Sequence, residues 1–185
     1  MNFGGVFIKD IACGYHHSIA LSSKDELYVW GHRMAGYPNI ELTYNYLISN
    51  MNMLRVELDQ TYPRPVKNNL IFYKFTKLVC GPYNSALITD KGELLMHGSN
   101  EGGQMGFGTE LGPMIPFFPE FRKLDQFGSS LKVVDVALGA ISTHILARSE
   151  SKADDIKMFA IGDNEFGQLG NGTTLNSHNV IEILT

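Results

Sequence analysis

Two twelve-residue segments, Gly98-Ser-Asn-Glu-Gly-Gly-Gln-Met-Gly-Phe-Gly-Thr109 and Gly162-Asp-Asn-Glu-Phe-Gly-Gln-Leu-Gly-Asn-Gly-Thr173, agree at eight of twelve positions although 64 residues separate them. Near-identity at such a spacing constrains the fold more than composition does, because a recurring unit of this size is one supersecondary element stacked on copies of itself. The residues ahead of each block recur too. One copy reads Leu78-Val-Cys-Gly-Pro-Tyr-Asn-Ser-Ala-Leu-Ile88, a polar turn, then Glu93-Leu-Leu-Met-His-Gly98. A later copy reads Val136-Ala-Leu-Gly-Ala-Ile-Ser-Thr-His-Ile-Leu146, a longer turn, then Lys157-Met-Phe-Ala-Ile-Gly162. An earlier one reads Ile11-Ala-Cys-Gly-Tyr-His-His-Ser-Ile-Ala-Leu21, then Glu26-Leu-Tyr-Val-Trp-Gly31, and its glycine block is reduced to Gly31-His-Arg-Met-Ala-Gly36.

The glycines that lead the copies, Gly14, Gly81 and Gly139, stand 67 and 58 residues apart. With Gly31, Gly98, Gly103, Gly106, Gly162, Gly167 and Gly170 they form a structural framework. Between them lie short β-branched and aromatic runs bounded by Gly, Asp, Asn and Ser, the signature of strands joined by tight turns. Four strands per copy are predicted. In the second copy they run 76–80, 85–89, 93–97 and 119–124, and the third copy ends in a strand over 179–184. Short four-stranded sheets at a period near sixty residues predict an all-β chain, a partial β-propeller of about three blades stacked face to face. The chain reads as one repeat domain over residues 1–185. Repeat 1 covers about 7–73 with an insertion at 38–62, repeat 2 about 75–127, and repeat 3 about 131–185.

Cys-Gly-x-x-His-Ser-x-Ala-Leu, a hairpin, Tyr-Val-Trp-Gly, and then Gly-Asp-Asn-Glu-Phe-Gly-Gln-Leu-Gly-Asn-Gly-Thr resemble the regulator-of-chromosome-condensation repeat family. Kelch repeats would show a double glycine after the second strand, and tryptophan-aspartate repeats a Gly-His and Trp-Asp pair at a shorter period; neither is present. The resemblance implies a propeller, usually of seven blades, and suggests exchange activity toward a Ran-like small GTPase as one function such a chain could carry. This sequence departs from the family pattern at two slots: the histidine after the first glycine is His17, then Asn84 and Ser142, and the tryptophan before the second glycine is Trp30, then His97 and Ile161.

Three repeats make less than half of a seven-bladed ring. Each blade is apolar on both faces, so an isolated arc exposes two sheet faces. The expectation is a ring completed by another chain, by further copies of this one, or by a longer parent protein.

Composition narrows the remaining functions. Fifteen Lys and Arg against nineteen Asp and Glu give a net charge of −4 with no run of like charge, which argues against nucleic acid as a partner. Two cysteines among 185 residues make no disulfide scaffold, and the N-terminal Met1-Asn-Phe-Gly-Gly has neither a basic nor an apolar signal segment. No stretch approaches the roughly 18 apolar residues of a membrane span. An intracellular protein is expected, cytoplasmic or cytoskeletal rather than nuclear because no basic tail is present.

Cys13, His16, His17 and Cys80 lack the paired spacing of a zinc site, and the two cysteines are expected to be small buried residues. No Gly-x-Ser-x-Gly elbow and no Gly-Lys-Ser/Thr phosphate loop occurs, so no catalytic residue, cofactor or metal is assigned. His97 and His144 lie in apolar strands and are expected to be satisfied core or interface histidines. Asn171-Gly-Thr173 is read as a framework turn rather than a glycosylation site.

Two segments fall outside the repeat. Over Asn39 to Gln60, the residues Ile40, Tyr44, Leu47, Met51, Leu54 and Leu58 recur at spacings of 4, 3, 4, 3 and 4, which predicts a helix with Asn39 at its N-cap. It would cover the arc or dock a partner. The polar turn Ser149 to Asp155, with Lys152 and Asp154, is a second candidate contact. The function expected from these features is a protein-interaction or structural scaffold module within a larger assembly. The alternative is a guanine-nucleotide exchange factor.

Overall fold

The computed structural model describes residues 5–32, 59–66, 69–108, 117–127, 130–152 and 154–183. Within them, twelve strands form three four-stranded antiparallel sheets, each a simple meander. The first contains β1 (Ile8–Cys13), β2 (His17–Ser22), β3 (Leu27–His32) and β4 (Asp59–Pro65). The second contains β5 (Phe75–Cys80), β6 (Asn84–Thr89), β7 (Leu94–Ser99) and β8 (Phe117–Lys123), and the third β9 (Leu131–Leu138), β10 (Ser142–Ser149), β11 (Ile156–Gly162) and β12 (Ser177–Ile183). A 3₁₀ turn, Asn69–Phe72, precedes the second sheet. The sheets are blades of a partial β-propeller, as the repeat spacing predicts.

The blades stack through their faces and converge at their first strands, β1 beside β5 and β5 beside β9. Backbone bonds tie neighbouring blades together on this inner side: Tyr15 N–H donates to Pro82 O at 3.0 Å, and Val133 N–H donates to Gly92 O at 2.9 Å. Between the first two blades, Ile19, Leu21 and Leu27 meet Leu78, Leu87 and Leu95, with Leu70 of the 3₁₀ turn and Phe75 filling the same cluster. Between the second and third, Ile88, Leu94, Met96 and Phe118 meet Val133, Val136, Ile145, Phe159 and Ile161. Each large side chain removed from water here contributes about 1.5–3 kcal/mol, so these two seams carry the stability of the arc.

Burial along the second strand of each blade follows from the stacking. Every residue of β6 is buried, as in a strand covered on both faces, whereas β10 alternates buried with half-buried or exposed positions because only one face of the third sheet is covered.

The outer strands are suited to an edge. Pro63, Pro65 and Pro119 sit in β4 and β8, where a missing N–H costs no ladder bond, and β12 carries a Lys157–Glu182 ion pair at 2.9 Å across the third sheet's rim. Matching irregularities recur in all three blades. The first strands shift register around Lys9, Thr76 and Val134, and the third strands around Trp30, His97 and Ile161. The glycine after each of these last three has φ of 97°, 115° and 115°. A Cβ there would come within 2.4–2.5 Å of the carbonyl oxygen of His16, Tyr83 or Ile141, so the bulge needs glycine in every copy.

Most of the predicted helix, residues 39–58, lies outside the described residues. Its last two positions are not helical: Asp59 and Gln60 open β4, paired with His32 and Gly31. The reason is that β3 would otherwise leave its outer backbone groups without a ladder partner.

Candidate functional site

Among the described residues, buried polar chemistry is concentrated where one blade meets the next. At the first seam the His17 imidazole Nε2 and the Ser85 hydroxyl share a 2.7 Å hydrogen bond, with Cys80 Sγ 3.4 Å from the same oxygen. A histidine beside a serine has the form of a base and nucleophile. Here both are sealed between sheets, with Ser85 fully buried and His17 nearly so. Burial, followed by the neighbouring His16, pushes His17 down to about 4, and burial pushes the Cys80 thiol up to about 11. The pair joins two blades within their packed seam.

His97 packs against the same seam, its ring stacked on Phe121 at 5.2 Å and edge-on to Phe117 at 5.8 Å. Burial, then His17, lowers it to about 4. Its Nδ1 has no hydrogen-bond partner, so this histidine is an interface residue but not a satisfied one. Nearer the solvent, Asp25 Oδ1 accepts from Lys9 Nζ at 2.6 Å and from Phe75 N–H at 3.1 Å, and Asp10 Oδ2 accepts from Leu78 N–H at 3.2 Å.

The second seam repeats the first with altered chemistry. Asn84 and Thr143 occupy the slots of His17 and Ser85, but the shorter amide makes no bond across the seam. Asn84 Oδ1 and Nδ2 and Thr143 Oγ1 are buried without hydrogen-bond partners. What the second seam gains is a latch from the glycine block. Gln104 Oε1 accepts from Gly102 N–H at 2.8 Å while its Nε2 donates to Ala140 O at 3.1 Å, in the first hairpin turn of the third blade. Gly108 N–H donates to His178 O at 3.0 Å, and Gln126 bridges Gly106 O and the N–H of Val180.

The framework glycines of the second blade touch the third blade closely. A Cβ on Gly81 would sit 2.7 Å from Leu138 Cβ, on Gly103 1.9 Å from His178 Nδ1, and on Gly106 2.7 Å from Ile161 Cδ1.

Beyond the third blade the same groups face nothing. Gly139 would meet only Ser142 of its own turn, at 3.0 Å; Gly167 meets a single carbonyl at 3.9 Å; Gly170 has no atom within 4 Å. Gln168 repeats the local half of the latch, accepting from Phe166 N–H at 2.9 Å, but its Nε2 turns back to Asp163 Oδ2 at 2.6 Å instead of reaching another blade. Leu146 is 39% exposed, where its counterparts Leu21 and Ile88 are 1% and 2%. Beside it Met158 and Ile181 are half-buried over Ala160, Leu169 and Ile183. His144 lies on this open flank, not in a core. The opposite flank is open as well: Ile11 is 71% exposed, where Leu78 and Val136 in the same slot are each 5%.

Cys13 shares that first flank and is exposed, which corrects the expectation of a buried residue; Cys80 is half-buried. Repetition makes the two slots look equivalent, but only the second has a blade in front of it.

Ile40, Tyr44, Leu47, Met51, Leu54 and Leu58 fall outside the described residues. Lys152 and Asp154 are exposed in the turn joining β10 to β11, closed by Ser149 N–H to Asp155 O at 3.0 Å. Among the described residues no three His, Cys, Asp or Glu side chains are grouped to hold a metal, and no helix is long and apolar enough to cross a membrane. The glutamine latch was missed in sequence. Its signal was present in the Gln kept at the same place in both intact glycine blocks, but its partner carbonyl lies in another repeat and no local spacing points to it.

Residues 8–32 match the family model of the Regulator of chromosome condensation (RCC1) repeat. Over 180 residues, 96% of this chain, the sequence is 28% identical to the probable E3 ubiquitin-protein ligase HERC4 of Rattus norvegicus, and it spans 15% of that relative's length. Among solved structures, Prp20p of Saccharomyces cerevisiae superimposes with a TM-score of 0.69 at 19% identity, over 99% of this chain and 40% of that one. Human WBSCR16 gives 0.64 at 17% identity, over 98% and 41%.

Proposed function

Because its first blade carries the regulator-of-chromosome-condensation repeat and its arc has the fold of solved proteins of that kind, we propose that this chain is a protein-binding and structural module that works inside a larger assembly. The observation that carries the reading is the open flank of the third blade. There Gly139, Gly167 and Gly170 leave space that the second blade's glycines fill with the third blade, and Leu146 faces water in a slot buried elsewhere. Apolar sheet faces rimmed by polar turns mark interaction surfaces. The lengths agree with this, since the aligned stretch is a small part of HERC4 and under half of Prp20p. The Prp20p structure was reported together with binding to Gsp1p and histones, which supports proteins as the class of partner.

The test is radical footprinting of Leu146 and Met158 in the native complex against the purified chain in dilute solution. Protection in the complex is expected, and equal reactivity in both refutes the reading.

Exchange activity toward a Ran-like GTPase is the second reading. It is favoured only by the exposed Lys152–Asp154 turn, which could reach a partner. A nucleotide-release assay decides it: no acceleration at micromolar protein removes it.

A further inference from the structure

The two open flanks of this chain are the two halves of an interface that the chain already builds twice. Each internal seam joins the far face of one blade to the near face of the next. The far face supplies the slots of Leu21 and Ile88, and the near face those of Leu78 and Val136. One far face, at Leu146, and one near face, at Ile11, remain uncovered.

Resting on the interaction-module reading above, we propose that the uncovered far face of the third blade receives the first blade of a second copy of this chain, head to tail. Ile11 of the second copy then occupies the place that Leu78 and Val136 occupy internally, packed over Leu146. The Gln168 amide swings from Asp163 to the second copy's Tyr15 carbonyl, the counterpart of the Ala140 carbonyl that Gln104 holds at 3.1 Å. The groove over Gly167 and Gly170 fills as Gly103 and Gly106 are filled by His178 and Ile161.

Such a contact is heterologous: it uses different patches on the two partners, and it closes into a ring or extends according to the rotation per copy. The occupant is a second copy because the arrangement required is the one the internal seams already show. Apolar residue meets apolar residue and turn carbonyl meets amide in the same register, and both halves are exposed on one chain.

The experiment pairs two variants on the full chain, Ile11→Asp and Leu146→Asp. Both side chains are open to solvent, and circular dichroism and thermal melts serve as the folding control. Mass is read by light scattering over a micromolar dilution series. The expected result is a concentration-dependent mass of at least twice the monomer for the wild type, monomers for each variant alone, and a one-to-one dimer when the variants are mixed, since each retains one intact half. Three results overturn the proposal: a wild type that stays monomeric, a variant that still self-associates alone, or a mixture that stays monomeric. A monomeric wild type whose flank is nonetheless protected in the native complex leaves the interaction-module reading standing and removes only the second copy.

Discussion

Gly81 and Gly139 hold the same place in consecutive blades, so replacing each by alanine separates what a blade needs for itself from what it needs for its neighbour. Neither has the left-handed backbone that alanine resists. In both, the loss of unfolded-state freedom favours alanine by about 0.4–1 kcal/mol. The difference is what the new methyl meets. At Gly81 it lies 2.7 Å from Leu138 Cβ and 2.9 Å from Leu138 O, atoms of the next blade's inner strand that cannot move without opening the seam. Overpacking of this kind costs about 1–3 kcal/mol. At Gly139 the methyl meets only its own turn, Ser142 Oγ at 3.0 Å and Ser142 O at 3.1 Å, and no atom of another blade. Gly81→Ala is therefore expected to lose about 1–2 kcal/mol net, which for a chain of this size lowers Tm by roughly 2–8 °C. Gly139→Ala should fall within about 0.5 kcal/mol of wild type. Gly81 also faces its own Asn84 Oδ1 at 2.2 Å, so the measurement is repeated in an Asn84→Ser background, which gives the second turn the residue of the third. Thermal melts by circular dichroism, at concentrations where the chain is monomeric, provide the reading. Equal losses at the two glycines, or none at Gly81 in the Asn84→Ser background, would refute the claim that these positions serve the seam.

Three further outcomes follow from the seams. Asn84→His should let the second seam copy the first by reaching Thr143 Oγ1, gaining about 0.5–1.5 kcal/mol in a urea melt; no gain means that the seams differ in spacing and not only in residue. Acid should destabilise the arc between pH 6.5 and about 4. His17 and His97 bind a proton only near pH 4 when folded but near 6.5 when unfolded, so the unfolded state takes up more protons across that window and stability falls as the pH drops. The loss is up to about 3 kcal/mol per histidine, so His97→Phe should show about half the wild-type drop across this window; a drop as large as the wild type's would refute the role of His97. Maleimide at pH 7 should label Cys13 at once and Cys80 only on unfolding, because the second thiol is half-buried and its pKa is raised to about 11. Mass spectrometry showing two fast labels would contradict the seam geometry.

The strands were legible because glycine and turn residues punctuate them: the second blade's strands were predicted within two residues of those observed. The third strand is the instructive miss. It was expected to stop at His97 but runs through Gly98 to Ser99, since a bulge absorbs a left-handed glycine without ending the pairing. Periodicity reads a glycine as a stop and has no means of seeing a bulge. Contacts between blades were the least legible. Cys13 and Cys80, or Gly103 and Gly167, are equivalent in sequence and differ only in whether another blade stands in front of them. The same blindness hid the Gln104 latch, which joins two repeats, and the unpartnered polar atoms of Asn84 and Thr143, which face each other's repeats without a bond.

That distinction divides the framework glycines into two kinds. Gly31, Gly98 and Gly162 answer to their own blade, because each sits at a bulge against a carbonyl of its own hairpin. Gly167 and Gly170 also have an internal reason, with φ of 75° and 72°. Gly139 has neither: its backbone is ordinary, and a Cβ there would meet only Ser142 of its own turn, at 3.0 Å from the hydroxyl and 3.1 Å from the carbonyl oxygen, contacts that are tight without the overlap found at Gly31, Gly98 and Gly162. A glycine with no use inside its own blade is explained by a neighbour approaching from outside, as Leu138 approaches Gly81. Gly139→Ala should then leave the monomer's Tm unchanged while weakening association at the third blade's flank by tenfold or more, the effect of about 1.4 kcal/mol of misfit at the contact. Light-scattering titration of the variant against wild type reads this directly. An unchanged association constant would mean that nothing packs on Gly139 from that side, and that the open flank is covered in some other register or not at all.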